Sequence, residues 1–310
     1  MISFALLSLP VFAVVALGWA AVKMRFVPRG ATEALGAFSF RFALPALVLR
    51  LIAREPLTQS FSPRFFAGYL ASGGLMFVLV FGISHLLQRQ DPSTASARAT
   101  TATVSNLGFF GPPIVLAFFG ERGAGPLAMA IVAEVMILMS LGAIVMAGAG
   151  HTSARAGSLI VRCAISNPVV VAIGAGGVLA AHGIALPAPL NGFLGFLGAS
   201  AAPTALFAVG ASLAAQPISR STAPAAASVA LIKLVIYPLT VWCLLAYIFR
   251  LDPFWIGTGV LIASLPSASS NYVLAQRYAA SPDLVSAGIV LSTIVSVVTV
   301  PLVGGLMVHP

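Results

Sequence analysis

The sequence predicts an all-α integral membrane protein of ten transmembrane helices, arranged as two inverted five-helix repeats whose fourth helices are interrupted. Three observations predict this. Of 310 residues, 59% are apolar and only 7% charged, with a mean hydropathy of +1.05, whereas a soluble domain carries about 25% charge. The apolar stretches are long and lack the period-two alternation of an outer-membrane barrel. Finally, a proline and glycine pattern recurs at a constant offset and divides the chain in two.

A spanning helix needs about 20 apolar residues, and charged or Pro/Gly/Ser-rich breaks delimit ten such stretches. The first, 2–22, is followed rather than preceded by Lys23, Arg25 and Arg29. That is the reverse of a cleavable signal peptide, so it reads as a retained helix with its N-terminus outside. The second, 31–53, carries Arg41, and the third, 64–87, ends near His85. The fourth, 97–119, contains a proline pair, and the fifth, 123–147, carries Glu134. Residues 148–157 form a short connector to the sixth, 158–181, and the seventh, 190–214. The eighth, 223–249, carries Lys233, the ninth, 253–278, has a second polar break, and the tenth is 283–307. Cys163 and Cys243 lie in apolar runs without Cys-x-x-Cys spacing and read as small buried hydrophobes. His85, His151, His182 and His309 fall at span ends or in loops, as interface residues rather than ligands.

The repeat is read from Pro10-Val11 and Gly18, which recur as Pro168-Val169 and Gly176, 158 residues later. The same offset carries Pro45 onto Pro203. Five helices per half is odd, so the second copy is inverted. The halves are 1–147 and 158–310, one membrane unit with no soluble domain.

The net charge of +9 would suggest nucleic acid in a soluble chain. Here the positive charges sort by side. Loops after odd-numbered spans hold nine, namely Lys23, Arg25, Arg29, Arg89, Arg98, Arg155, Arg162, Arg220 and Arg277. The other side holds five: Arg50, Arg54, Arg64, Arg122 and Arg250. The bias places both termini on the extracytoplasmic side.

Broken helices survive in hydrocarbon only where protein or a water-filled cavity covers them, so breaks locate the working site. Span 4 contains Ser105-Asn106-Leu107-Gly108-Phe109-Phe110-Gly111-Pro112-Pro113, and span 9 contains Ser264-Leu265-Pro266-Ser267-Ala268-Ser269-Ser270-Asn271. One proline alone costs about 3 kcal/mol in a helix interior. Half-helix N-termini suit an anion and C-terminal carbonyls a cation. The candidate substrate-binding residues are Asn106 and Asn271, which donate and accept at once, with Ser105, Gly108, Gly111, Pro112, Pro266, Ser267, Ser269 and Ser270. Small polar residues that merely satisfy a kinked backbone are the alternative.

Arg41, Glu134 and Lys233 lie inside spans, where each charge costs about 2.5–3.5 kcal/mol by insertion scales. Lys233 could balance a negative substrate, and Glu134 could carry a proton. A structural ion pair of Glu134 with Arg41 or Lys233, or snorkelling by Arg41, is the alternative reading. An intramembrane enzyme needs a nucleophile with its base, a carboxylate dyad or metal ligands, and no Gly-x-Ser-x-Gly, His-Glu-x-x-His or intramembrane Asp is present. Neither a cofactor nor a metal is expected. A channel and a membrane sensor stay as rival classes.

Asn106-Leu107-Gly108-Phe109-Phe110-Gly111-Pro112-Pro113 resembles the fourth-helix signature of the auxin efflux carrier family. Leu265–Asn271 with Tyr278, the Leu291–Ser296 stretch through Pro301, Ala43–Ala46, Gly210–Ala214 and Lys233–Pro238 are similar to it as well, so the resemblance covers nearly the whole chain. It implies a fold shared with bile acid symporters and sodium/proton antiporters, in which the interrupted helices 4 and 9 cross at mid-membrane. It further implies that helices 1, 2, 6 and 7 form a panel or homodimer-facing side and the other six a core. The short 148–157 connector resembles compact bacterial members, which implies an inner-membrane secondary transporter of a small organic anion such as malonate, malate or an auxin-like acid. Protons or the membrane potential are the expected drivers. Sodium coupling, as in bile acid symporters, is the alternative, disfavoured because no carboxylate lies near Asn271.

Overall fold

The structure, a computed structural model, describes residues 2–56, 60–148, 166–214 and 222–307, with side chains described from Leu6 onward and Arg29 as backbone alone. The described residues form helices joined by short non-helical segments. Counting a helix that runs on through a turn of other winding as one, the elements are α1 (Ile2–Lys23), α2 (Gly30–Arg54), α3 (Pro63–Leu87), α4 (Pro92–Thr103), α5 (Gly111–Phe119) and α6 (Glu121–Met146). They continue with α7 (Pro168–Ala181), α8 (Ala188–Ala214), α9 (Ala223–Ile248), α10 (Pro253–Ala263), α11 (Ser270–Arg277) and α12 (Pro282–Met307). Seven of these helices are long and apolar enough to cross a membrane, against the ten spans expected. The difference has two sources: spans 4 and 9 are each divided into two short helices, and span 6 is described only from residue 166. Arg155, Arg162, Arg220, Cys163, His151 and His309 lie outside the described residues.

Three helix starts are set by a capping polar side chain followed by proline. Ser62 caps α3 by accepting the Phe65 amide at 3.2 Å, with Pro63 next. Asn167 Oδ1 caps α7 on the Val169 and Val170 amides, with Pro168 next. Asp91 accepts the Thr94 amide at 3.0 Å before Pro92. Proline fits the first helical position because its missing N–H would be orphaned there anyway. Hydrogen bonding to Thr94, from its side chain and amide, holds the Asp91 carboxyl below the usual carboxylate range. A carboxyl depressed on folding stabilises the fold above its unfolded pKa, and this is lost as pH falls through the folded value. Asp91→Ala is therefore expected to cost about 1 kcal/mol at neutral pH. Thermal melts in detergent should show the gap between variant and parent closing in strong acid.

α4 begins five residues before the expected span, at Pro92 rather than 97. Its Ser, Thr and Ala residues score poorly on hydropathy, yet nearly all are buried. The helix is wrapped by protein, not lipid, so low hydropathy carries no insertion penalty. Its hydroxyls bond back to the preceding turn, Thr100 to Ser96 O at 2.7 Å and Thr103 to Ala99 O at 2.8 Å. Cys243, expected to be buried, is exposed on the outer surface of α9, where apolar character serves contact with lipid instead.

Among the described residues five stretches are wound as π-helix, Ser39–Ala43, Ile83–Leu87, Val132–Leu138, Ile232–Ile236 and Leu244–Ile248. Arg41, Glu134 and Lys233 each lie in one of them. A π turn inserts an extra residue and rotates the side chains beyond it, a device frequent at functional sites.

α1 packs against α8, and α2 against α7. A Cβ on Gly18 would stand 2.1 Å from the Phe207 carbonyl oxygen, and one on Gly176 would stand 3.2 Å from that of Leu49. The two contacts are related by one offset, since 18 to 176 and 49 to 207 are both 158. A second correspondence links the ends of α3 and α9. Each closes in a five-residue π turn followed by Arg-x-Asp-Pro, Arg89 to Pro92 and Arg250 to Pro253. Both arginines have positive φ, 54° and 48°. The amides of Gln88 and Phe249 reach Ile83 O and Leu244 O, and those of Gln90 and Leu251 reach Ser84 O and Leu245 O, at 2.9–3.0 Å.

Candidate functional site

The chain leaves helical geometry between Thr103 and Gly111, and again between Ala263 and Ser270. These two breaks meet. Ser105 and Ser267 face each other across an isolated antiparallel bridge, in which the Asn106 amide donates to Pro266 O at 2.8 Å and the Ala268 amide to Val104 O at 3.0 Å. Each break thus satisfies backbone groups of the other, as a site without water requires. Ser267 is pinned further: its hydroxyl donates to Thr101 O at 2.7 Å and its amide to Ser292 Oγ at 3.2 Å.

The two buried charges complete this backbone accounting. Glu134 is fully buried. Its Oε2 accepts the Ser105 amide at 2.6 Å, and its Oε1 accepts the Ser105, Tyr69 and Tyr237 hydroxyls at 3.1, 2.6 and 3.2 Å. Lys233 is also fully buried. Its Nζ donates to Ala263 O at 2.5 Å and to Ser105 Oγ at 2.8 Å, and stands 4.8 Å from the centre of the Tyr237 ring, a cation–π contact. Ala263 ends α10, so Lys233 caps an orphaned carbonyl at the negative end of a half-helix. Glu134 likewise satisfies an amide just past the end of α4. The two charges are joined through the Ser105 hydroxyl, which accepts from one and donates to the other.

Beside the bridge lies a cavity of about 330 Å³ whose lining includes Phe40, Ser105, Asn106, Gly108, Ser269 and Ser270. An adjoining cavity of about 340 Å³ shares Phe40, Val135, Met139, Asn167 and Ser270 with it, and adds Met136 and Ser140. Asn106 Nδ2 and Ser269 Oγ are 3.4 Å apart at the crossing, and Ser270, whose hydroxyl stands 3.6 Å from Met139 Sδ, lines the same cavity. Such a site can hold a small polar group with uncharged donors.

A family model described as membrane transport protein matches residues 4–303. The chain belongs to this family. It is the auxin efflux carrier family that the two break motifs resemble, and its members are membrane transporters, not enzymes. The chain is 31% identical over 297 residues to a Rhizobium meliloti (strain 1021) protein named "Putative malonate transporter", covering 95% of this chain and 92% of that one. It is 31% identical over 202 residues to an uncharacterized transporter of Methanothermobacter thermautotrophicus, covering 65% and 64% of the two chains. Over 302 residues it is 24% identical to the uncharacterized transporter YfdV of Escherichia coli (strain K12), covering 95% and 94%.

Within this transporter, the residues singled out from sequence fall into three groups. Ser105, Asn106, Gly108, Ser269 and Ser270 line the cavity. Gly111, Pro112, Pro266, Ser267 and Asn271 do not: Gly111 and Pro112 start α5, a Cβ on Gly111 meeting Leu127 at 2.8 Å, and Pro266 lends its carbonyl to the bridge. Asn271 is buried behind the break, Nδ2 donating to Thr100 O at 3.3 Å, with Oδ1 lacking a partner among the described residues. Glu134 and Lys233 sit behind Ser105, and Arg41 is exposed on the outer surface. Sequence reasoning missed Tyr69, Tyr237 and Asn167. Tyr237 stands four residues after Lys233, on the same helical face, and Asn167-Pro168 is a helix-start signature, so both had a local signal. Tyr69 had none, because its partner is 65 residues away.

Proposed function

We propose that this transporter is a secondary active carrier that moves a small organic anion across the inner membrane by alternating access, with the crossing of the two breaks as its substrate site. The observation that carries this reading is the convergence of Asn106, Ser269 and Ser270 on a cavity whose floor is two mutually bonded breaks. Broken helices joined at a polar cavity are what repeat carriers place at mid-membrane. The name of the Rhizobium relative supports a carboxylate such as malonate.

The inverted five-plus-five repeat is supported by the paired Gly18–Phe207 and Gly176–Leu49 contacts at offset 158, and by the Arg-x-Asp-Pro turns at offset 161. On this reading α4 with α5, and α10 with α11, are the interrupted fourth helices of the halves 1–147 and 158–310. α1, α2, α7 and α8 form the panel and the face for a homodimer, and the remaining helices form the core. Both termini are extracytoplasmic. The Arg54–Glu121 ion pair, 3.5 Å, then joins panel to core at the outer end. Among the described residues no carboxylate lines either cavity, which favours the membrane potential or protons over sodium as the driver.

The test is counterflow in proteoliposomes. Vesicles loaded with unlabelled malonate should take up labelled malonate transiently above equilibrium, saturably and without sodium. Flux that is linear in concentration, or the absence of exchange for every small carboxylate tried, would sink the proposal.

A further inference from the structure

Among the described residues, no ionisable side chain lines the two adjoining cavities beside the crossing. Their polar side chains are the amides and hydroxyls of Ser105, Asn106, Ser140, Ser166, Asn167, Ser269 and Ser270, and much of the rest is Phe40, Phe109, Val135, Met136 and Met139. The obvious counter-charge for an anion, Lys233, is spent elsewhere. Its ammonium lies against Ala263 O and the Ser105 hydroxyl, which in turn bonds to Glu134, so the buried positive and negative charges offset each other behind the cavity wall. Arg41 is exposed on the outer surface.

One carboxylate can be met at the crossing by the Asn106 amide and the Ser269 and Ser270 hydroxyls. A second full charge would face thioether, aliphatic and aromatic groups and a few neutral hydrogen bonders, where burying an unpaired ion is strongly unfavourable. A protonated second carboxyl, by contrast, needs only the kind of partner that Ser140 and Asn167 offer.

We infer that the site selects ligands of net charge minus one: monocarboxylates with a small apolar body, and dicarboxylates only as their hydrogen-dicarboxylate monoanions. This rests on the reading of the cavity as the substrate site. Since the monoanion fraction falls about tenfold per pH unit above the second ionisation of malonic acid, apparent malonate affinity should fall by that factor. Butyrate, of similar size and singly charged throughout, should bind independently of pH over the same range.

The experiment is thermal stabilisation of the purified protein by malonate or butyrate, titrated at matched ionic strength from pH 5 to 8, with no gradient present. The inference expects a falling malonate affinity and a flat butyrate affinity. Met136→Lys, which places a cation on the apolar wall, should flatten the malonate profile, with Met136→Leu as the control for packing. If Met136→Lys does not fold, the parent's two pH profiles still decide. Malonate affinity that stays constant to pH 8 while butyrate fails to bind overturns the charge rule and leaves the carrier reading standing. Failure of malonate, butyrate and longer carboxylates alike to bind or exchange overturns both.

Discussion

Replacing Glu134 with alanine is expected to lower stability by about 3–5 kcal/mol, the scale for stripping one member from a buried charged network. The magnitude follows from what the carboxylate holds. It accepts the Ser105 amide and three hydroxyls, and its loss leaves those donors and the Lys233 ammonium uncompensated in a site closed to water. Glu134→Gln keeps one acceptor oxygen but turns an amide N–H₂ toward a donor, so it should fall between. Lys233→Met alone should be similarly costly, since it strands Glu134 and the Ala263 carbonyl. Coupling distinguishes a network from two independent losses: the double variant Glu134→Gln/Lys233→Met should be less damaged than the sum of the singles. Strictly additive melting shifts in detergent would show that the Ser105 relay does not join the two charges energetically.

Asn106→Ala is expected to behave in the opposite way, cutting malonate exchange about 10- to 100-fold while moving the melting temperature little. A hydrogen bond to a charged group contributes about 1.5–3 kcal/mol, which sets the range. The backbone of residue 106 would still donate to Pro266 O, so the bridge between the breaks survives the substitution. Asn271→Ala serves as the contrast, because its amide bonds to Thr100 O behind the break and its loss should appear in stability first. Parent-like initial rates for Asn106→Ala would remove the crossing from the substrate path.

How much of this was legible in the chain depends on the range over which each signal acts. The two breaks were legible because Gly-Pro-Pro and Leu-Pro-Ser-Ala-Ser-Ser-Asn punctuate otherwise apolar runs, and punctuation is local. Glu134 and Lys233 were legible because each is the one charge in its span, and Arg41 because it falls midway along its span, between Glu33 and Arg50. The Arg-x-Asp-Pro turns were also present to be read, and mark the repeat more sharply than Pro10 and Pro168 do. The early start of α4 was not readable from hydropathy, since that measure assumes lipid on all sides and this helix has protein.

Sequence by itself determined the membrane setting, the places where helices break and the residue types available there, because composition and Pro/Gly chemistry act within a few residues of themselves. Only the tertiary structure decided which of those residues share a cavity. Asn106 and Asn271 look equivalent on paper, yet one lines the cavity and the other is buried behind its wall. Lys233 and Glu134 look like a substrate's counter-charge and a proton carrier, yet each satisfies a backbone group that a broken helix leaves orphaned. The physical reason is that an unsatisfied amide or carbonyl in hydrocarbon must be answered by whatever packs beside it, and the packing neighbours come from helices 29 to 171 residues away along the chain.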